Sequence, residues 1–162
     1  MKTIYIRSGR KIAQNKEELE KKLKVKLEVK GSSTTIEGKS EVDEYFAERV
    51  LKALDFPFTI DEALLLLKED YLFEVINIKA HTKRKDLATI KGRIIGTEGK
   101  TLRVLQDLSE SYIVVKDNNV AIIADSNNFE NARQSVFSII RGSKQANVYA
   151  YLEKANTRAK KF

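Results

Sequence analysis

A chain of 162 residues with 42% hydrophobic and 33% charged side chains holds enough apolar material for a core and too much for a disordered segment. Its formal net charge of +7 favours a polyanionic partner, either nucleic acid or an anionic surface. The lack of cysteine excludes disulfides, cysteine-bound zinc and a thiol nucleophile; the single histidine, His81, stands beside Lys83-Arg84-Lys85 and reads as a solvated loop residue.

In chain order, residues 3–7 alternate polar and apolar and predict a strand. Residues 16–23 are charged, with Leu19 and Leu23 four apart, and predict a helix. Val25, Leu27 and Val29 alternate with charged residues as a half-buried strand does; Gly31-Ser32-Ser33 gives a turn and a short strand follows near Ile36. Val42, Phe46, Val50 and Leu54 mark an amphipathic helix, and Thr59 with Glu62 forms a capping box before a leucine-rich helix. The chain turns polar at Lys2-Thr3, and its longest apolar run, Ala63 to Leu67, is far short of the ~18 residues a membrane span needs. Neither a signal peptide nor a membrane segment is expected, and the expected location is the cytoplasm.

The pattern restarts at Tyr71. Residues 71–79 predict a strand, and Leu87, Ile90 and Ile94 a helix. Leu102, Leu105 and Leu108 predict a second helix, and strands at Ile113–Val115 and Val120–Ile123 flank an Asp117-Asn118-Asn119 turn. Phe129, Ala132, Val136 and Ile139 predict a helix that ends at Gly142. A last helix carries Val148, Leu152 and Ala155, with a basic tail of Lys160 and Lys161. Shifted by about 86 residues, the halves register: Leu19 falls on Leu105, Leu27 on Ile113, Ile36 on Ile122, Val50 on Val136 and Leu54 on Ile140. The expected architecture is therefore α+β, with two copies of one small fold over residues 1–69 and 70–162, each a three-stranded sheet packed against helices.

The segment with chemical content is Lys91-Gly92-Arg93-Ile94-Ile95-Gly96-Thr97-Glu98-Gly99-Lys100-Thr101. Two glycines three apart between helical patterns let the backbone turn sharply and let another chain come close. The helix that follows offers N–H groups and the positive end of its dipole, a natural seat for phosphate. Arg93, Lys100 and Arg103 add positive charge, with Lys91 a further candidate, and Glu98 is expected to face solvent. Gly99-Lys100-Thr101 imitates the end of a nucleotide-binding P-loop, but that motif needs glycine at Ile94 and a preceding strand, whereas residues 86–95 have helical spacing. No catalytic group, metal or cofactor is expected. In the first half, Arg10-Lys11-Ile12-Ala13 stands opposite Gly96–Gly99, so that copy is expected to lack a clamp, with Arg7, Arg10 and Lys11 left for nonspecific phosphate contacts.

Ile94-Ile95-Gly96-Thr97-Glu98-Gly99-Lys100 resembles the signature of KH domains, and the element order over residues 71–141 is similar to their type I arrangement. In that arrangement Ile94 and Ile95 help line a groove for bases, one of the pair belonging to the core, and Ile113–Val115 forms the far wall. Over residues 60–155 the chain resembles the tandem-KH ribosome-assembly factors called partner of NOB, in their short archaeal form. The matching pieces are Tyr71 through Ile76, Leu87 through Lys100, Val120 through Ile123, and Arg141-Gly142-Ser143 with Val148-Tyr149. The resemblance implies single-stranded RNA binding near the 3′ end of small-subunit rRNA and partnership with the NOB endonuclease. It also implies association with the alpha subunit of initiation factor 2. The alternative is a general KH binder of mRNA or other single strands.

Overall fold

The computed structural model describes the backbone of residues 1–161 and the side chains of residues 1–158, so the basic Lys160 and Lys161 side chains lie outside the described residues. The chain divides into two compact units, Met1–Tyr71 and Leu72–Phe162. No described helix is long and apolar enough to cross a membrane.

In the first unit, strand β1 (Lys2–Tyr5) is followed by helices α1 (Gly9–Gln14) and α2 (Lys16–Leu23), strands β2 (Val25–Lys30) and β3 (Ser33–Gly38), and helix α3 (Glu41–Ala53). β1 is shorter than expected. Ile6 is still buried and donates to Ser32 O at 2.8 Å, but the chain then turns at Arg7-Ser8 into α1. α1 was not read from the sequence, where residues 10–13 stood opposite a loop. Period-two alternation puts Val25 and Leu27 into the core and Lys26 and Glu28 into solvent. Ser40 caps α3 by accepting from Asp43 N at 3.2 Å, and acidic residues fill the first turn. The buried face of α3 is Ala47, Val50, Leu51 and Leu54, while Val42 is 62% exposed. A spacing of four drifts about 40° per step around a helix, so Val42 lies about 120° away from Leu54.

Helix α4 (Ile60–Leu64) has the expected capping box, with Thr59 Oγ1 accepting from Glu62 N at 3.1 Å and Glu62 accepting from Thr59 N at 2.8 Å. The leucine run ends in one 3-10 turn at Leu65–Leu67. Arg49 donates to Leu66 O at 3.2 Å and to Tyr71 O at 2.6 Å, which fixes the exit of the unit to α3.

In the second unit, strand β4 (Tyr71–Asn77) leads to helices α5 (Leu87–Ile95) and α6 (Lys100–Ser109), strands β5 (Tyr112–Lys116) and β6 (Asn119–Asp125), and helices α7 (Phe129–Ile140) and α8 (Gln145–Lys161). His81 lies in a 3-10 turn after β4, exposed, with its ring edge-on to Phe137 at 4.7 Å. The core joins Ile76 and Ile78 to Ile90 and Ile94 of α5, Leu105 of α6, Val136 and Ile140 of α7, and Val148 and Leu152 of α8.

The two sheets have one plan. Their strand orders are β1-β3-β2 and β4-β6-β5. Leu27 pairs with Ile36 and Val29 with Thr34 in the first; Ile113 pairs with Ile122 and Val115 with Val120 in the second. A shift of 86 residues carries each of those pairs onto its counterpart, so the repeat extends to hydrogen-bond register.

Gly9 is a glycine for packing. A Cβ there would stand 2.6 Å from Gly31 O, a backbone atom that cannot retreat. Gly9→Ala is expected to cost about 1–3 kcal/mol in urea unfolding of the full chain. Gly92→Ala, inside α5 with nothing within 4 Å, is expected to stabilise by about 0.5–1 kcal/mol.

Candidate nucleic-acid interface

The site begins with the cap of α5. Asp86 accepts from Thr89 N at 3.2 Å and from the Thr89 hydroxyl at 2.6 Å. These bonds, the hydroxyl's first, hold its carboxyl below the usual aspartate range, so the cap is in place above the ordinary aspartate pKa and is lost as pH falls through the lowered value. α5 turns Ile90 and Ile94 into the core and stops at Gly96, whose φ of 77° and ψ of 175° cannot continue a helix. Thr97–Gly99 makes a tight turn, with Glu98 at φ 55° and Gly99 at φ 76°, and α6 starts at Lys100.

The two glycines do different jobs. A Cβ on Gly96 would lie 2.2 Å from Thr101 Oγ1 and 2.7 Å from Thr101 N, so Gly96 lets the loop fold down onto α6. A Cβ on Gly99 would meet nothing within 4 Å. That side of the loop is bare peptide facing open space.

Several of the loop's amides are already used. Gly96 N donates to Gly92 O at 2.8 Å, Gly99 N to Gly96 O at 3.2 Å, and Lys100 N to Thr97 O. The expectation of an open row of helix N–H groups is corrected to this extent. The N–H groups of Thr97 and Glu98 carry no such bond among the described residues.

The structure brings Thr97, Glu98, Lys100 and Arg103 together as exposed side chains around the half-buried Gly96 and Gly99. Glu98 is exposed as expected. Two sequence-based assignments change. Ile94 is fully buried and is a core residue, which leaves the half-buried Ile95 as the apolar wall. Arg93 donates to Ile139 O at 3.5 Å and to Ser143 O, while Gln145 Nε2 donates to Arg93 O at 3.1 Å. Arg93 therefore closes the C-terminal end of α7, where carbonyls lack helical partners, and is not a spare cation at the loop.

The far wall is β5, an edge strand by the sheet order. Ile113 is buried through its side chain, and its N–H points away from β6 to Gln106 Oε1 at 2.9 Å. Gln106 was missed in the sequence. Its counterpart 86 residues earlier makes the same contact, with Leu27 N donating to Glu20 Oε2 at 2.8 Å, a bond that the spacing of residues does not encode.

In the first unit the clamp is absent for a stronger reason than missing glycines. Only Asn15 separates α1 from α2, so there is no loop, and residues 10–13 lie within α1. Lys11 donates to Phe56 O at 3.2 Å and to Phe58 O, so it is a structural tie rather than a phosphate contact.

Among known proteins, residues 72–157 match the family described as eukaryotic type KH-domain (KH-domain type I), in the form of the second domain of PNO1. The chain is 32% identical over 152 residues to a KH domain-containing protein of Methanocaldococcus jannaschii, covering 90% of this chain and 67% of that one. It is 32% identical over 117 residues to pre-rRNA-processing protein pno1 of Emericella nidulans, covering 70% of this chain and 45% of the relative. The chain thus spans two thirds of the archaeal relative's length and under half of the fungal one's. Dim2p from Pyrococcus horikoshii superposes with a TM-score of 0.85 at 27% identity, over 94% of this chain and 98% of that one. A chain of the a/eIF2alpha-aDim2p-rRNA complex from the same organism does so with a TM-score of 0.86 at 26% identity, over 97% and 94%.

The glycines are separable by stability. Gly96→Ala combines positive φ with a backbone clash and is expected to cost more than about 3 kcal/mol; Gly99→Ala meets only the conformational penalty, about 1–2 kcal/mol. Chemical denaturation of both variants checks the order. In the same experiment Arg93→Ala lowers the unfolding midpoint, whereas Lys100→Ala and Arg103→Ala leave it within error.

Proposed function

The chain belongs to the type I KH family, in its PNO1/Dim2 branch, and on that premise we propose that it binds single-stranded RNA near the 3′ end of small-subunit rRNA during maturation of the subunit. The observation that carries the reading is the open face of Gly99, beside the spare amides of Thr97 and Glu98 and flanked by Lys100 and Arg103. A phosphate can reach bare peptide there, at the positive end of a ten-residue helix, without displacing a side chain. Phosphate contacts set the position of the strand; Ile95 and the edge of β5 then meet the bases, about four nucleotides in all. The name of the Emericella nidulans relative, a pre-rRNA-processing protein, and the rRNA in the Pyrococcus horikoshii complex support this target.

On this reading the protein is a binder and not an enzyme. Cutting is done by a separate NOB-type endonuclease, for which the bound chain presents or withholds the 3′ end, and the work takes place in the cytoplasm. The alpha subunit of initiation factor 2 is a further partner, supported by the a/eIF2alpha chain in the Pyrococcus horikoshii complex. The first unit, with no loop between α1 and α2, holds no RNA clamp and serves protein contact.

The clamp is tested by Thr97→Asp with Glu98→Asp in the full chain. Aspartate tolerates the left-handed backbone of position 98, so the fold is kept, while the added charge faces the phosphate. Affinity for a single-stranded RNA with the small-subunit 3′ sequence is expected to fall at least about tenfold, with the unfolding midpoint unchanged. Wild-type affinity in that variant refutes the clamp. If about five phosphates are neutralised, log K falls against log salt with a slope near −3.5. In cells, cross-linked reads are expected to peak on small-subunit rRNA; a spread over mRNAs with no such peak would instead mark a general single-strand binder.

A further inference from the structure

We propose that Gln106 selects the base that lies in the groove beside the glycine loop, a proposal that rests on the RNA-binding reading above. Gln106 stands one turn beyond Arg103 on α6 and reaches the outer edge of β5. The Ile113 N–H can only donate, so the carboxamide must turn its oxygen to the strand. Its Nε2, with two N–H donors and no partner among the described residues, is the group left for a guest. Residues 113 and 115 occupy the outward-facing positions of the ladder, so the Ile113 carbonyl and the Val115 amide face the same edge. A strand gripped at Thr97–Gly99 and running over Lys100 and Arg103 places its next base against this fixed set, with a base acceptor opposite Nε2.

The first unit is an internal contrast. Glu20 occupies the place of Gln106 and holds the corresponding edge amide, Leu27 N, at 2.8 Å. A carboxylate accepts but cannot donate, and it repels phosphate. The open pocket beside it is lined by Glu20, Glu37 and Asp43 together with Lys24, Lys26 and Lys39, so cations there already have anions for neighbours. The same scaffold thus occurs once with a neutral donor next to a glycine loop and once with an anion next to none.

The experiment uses the full chain and fluorescent octamers of oligo(A), oligo(C) and oligo(U) at fixed salt. Wild type is expected to separate its best from its worst octamer by at least about tenfold. Gln106→Met removes the donor and is expected to compress the spread to within about threefold, while Gln106→Glu keeps the bond to Ile113 N, and so the fold, but changes the order of preference. Glu20→Gln leaves all three affinities unchanged. An unaltered spread in Gln106→Met, an equal loss on all three octamers, or no spread in wild type would overturn the proposal. The Thr97→Asp, Glu98→Asp variant separates the failures. If it loses all three octamers while Gln106→Met keeps the wild-type spread, selection lies elsewhere and the clamp stands. If it binds all three normally, the RNA reading fails and the role of Gln106 with it.

Discussion

The contact between Gly96 and Thr101 sets the geometry of the interface. Thr101 is buried in the first turn of α6, and its hydroxyl and backbone nitrogen come so close to Gly96 that no side chain fits between them. That approach forces α5 to stop and α6 to start within four residues, and it pushes Glu98 and Gly99 into left-handed backbone. The strain is local and the core restrains it: Ile94, immediately ahead of the loop, and Leu105, on α6, are both fully buried. Because the inner glycine holds the loop down, the outer one can face open space. The RNA contact proposed here follows from that division of labour.

Much of this was legible in the sequence, for identifiable reasons. Val25, Leu27 and Val29 carry the period of two of a half-buried strand, and the apolar run Ile113–Val115 falls on Leu27–Val29 at the shift of 86, so both strands and their equivalence were legible and the ladders confirm the register of the repeat. Glycines three apart between helical patterns placed the turn at Gly96–Gly99. What escaped was information that spacing does not hold. α1 is six residues long, mostly polar, and shows no periodic face. Ile94 and Ile95 are adjacent, and only the rotation of α5 decides which enters the core. The charge on Arg93 and Lys11 was visible, but their carbonyl partners lie 45 or more residues away in sequence.

The two units share one scaffold, and they differ where the RNA contact is proposed. Strand order, register and the side-chain bond to the edge amide persist in both. What differs is a four-residue loop reduced to Asn15 and a carboxamide in place of a carboxylate. In the first unit the segment opposite the loop is α1, whose Ile12 is fully buried, so that copy uses for packing the stretch that the second leaves open at Gly99. Membership of the PNO1/Dim2 branch, established over the second unit, agrees with that asymmetry.

In the proposed complex, peptide groups between the two glycines touch the RNA backbone. The most direct measurement follows backbone amide resonances of the full chain while single-stranded RNA of the small-subunit 3′ sequence is titrated in. The largest shifts are expected on Thr97, Glu98 and Gly99, spreading to Gln106 and Ile113 and sparing Arg10 to Asn15. Saturable binding with silent amides at 97–99 would contradict that contact.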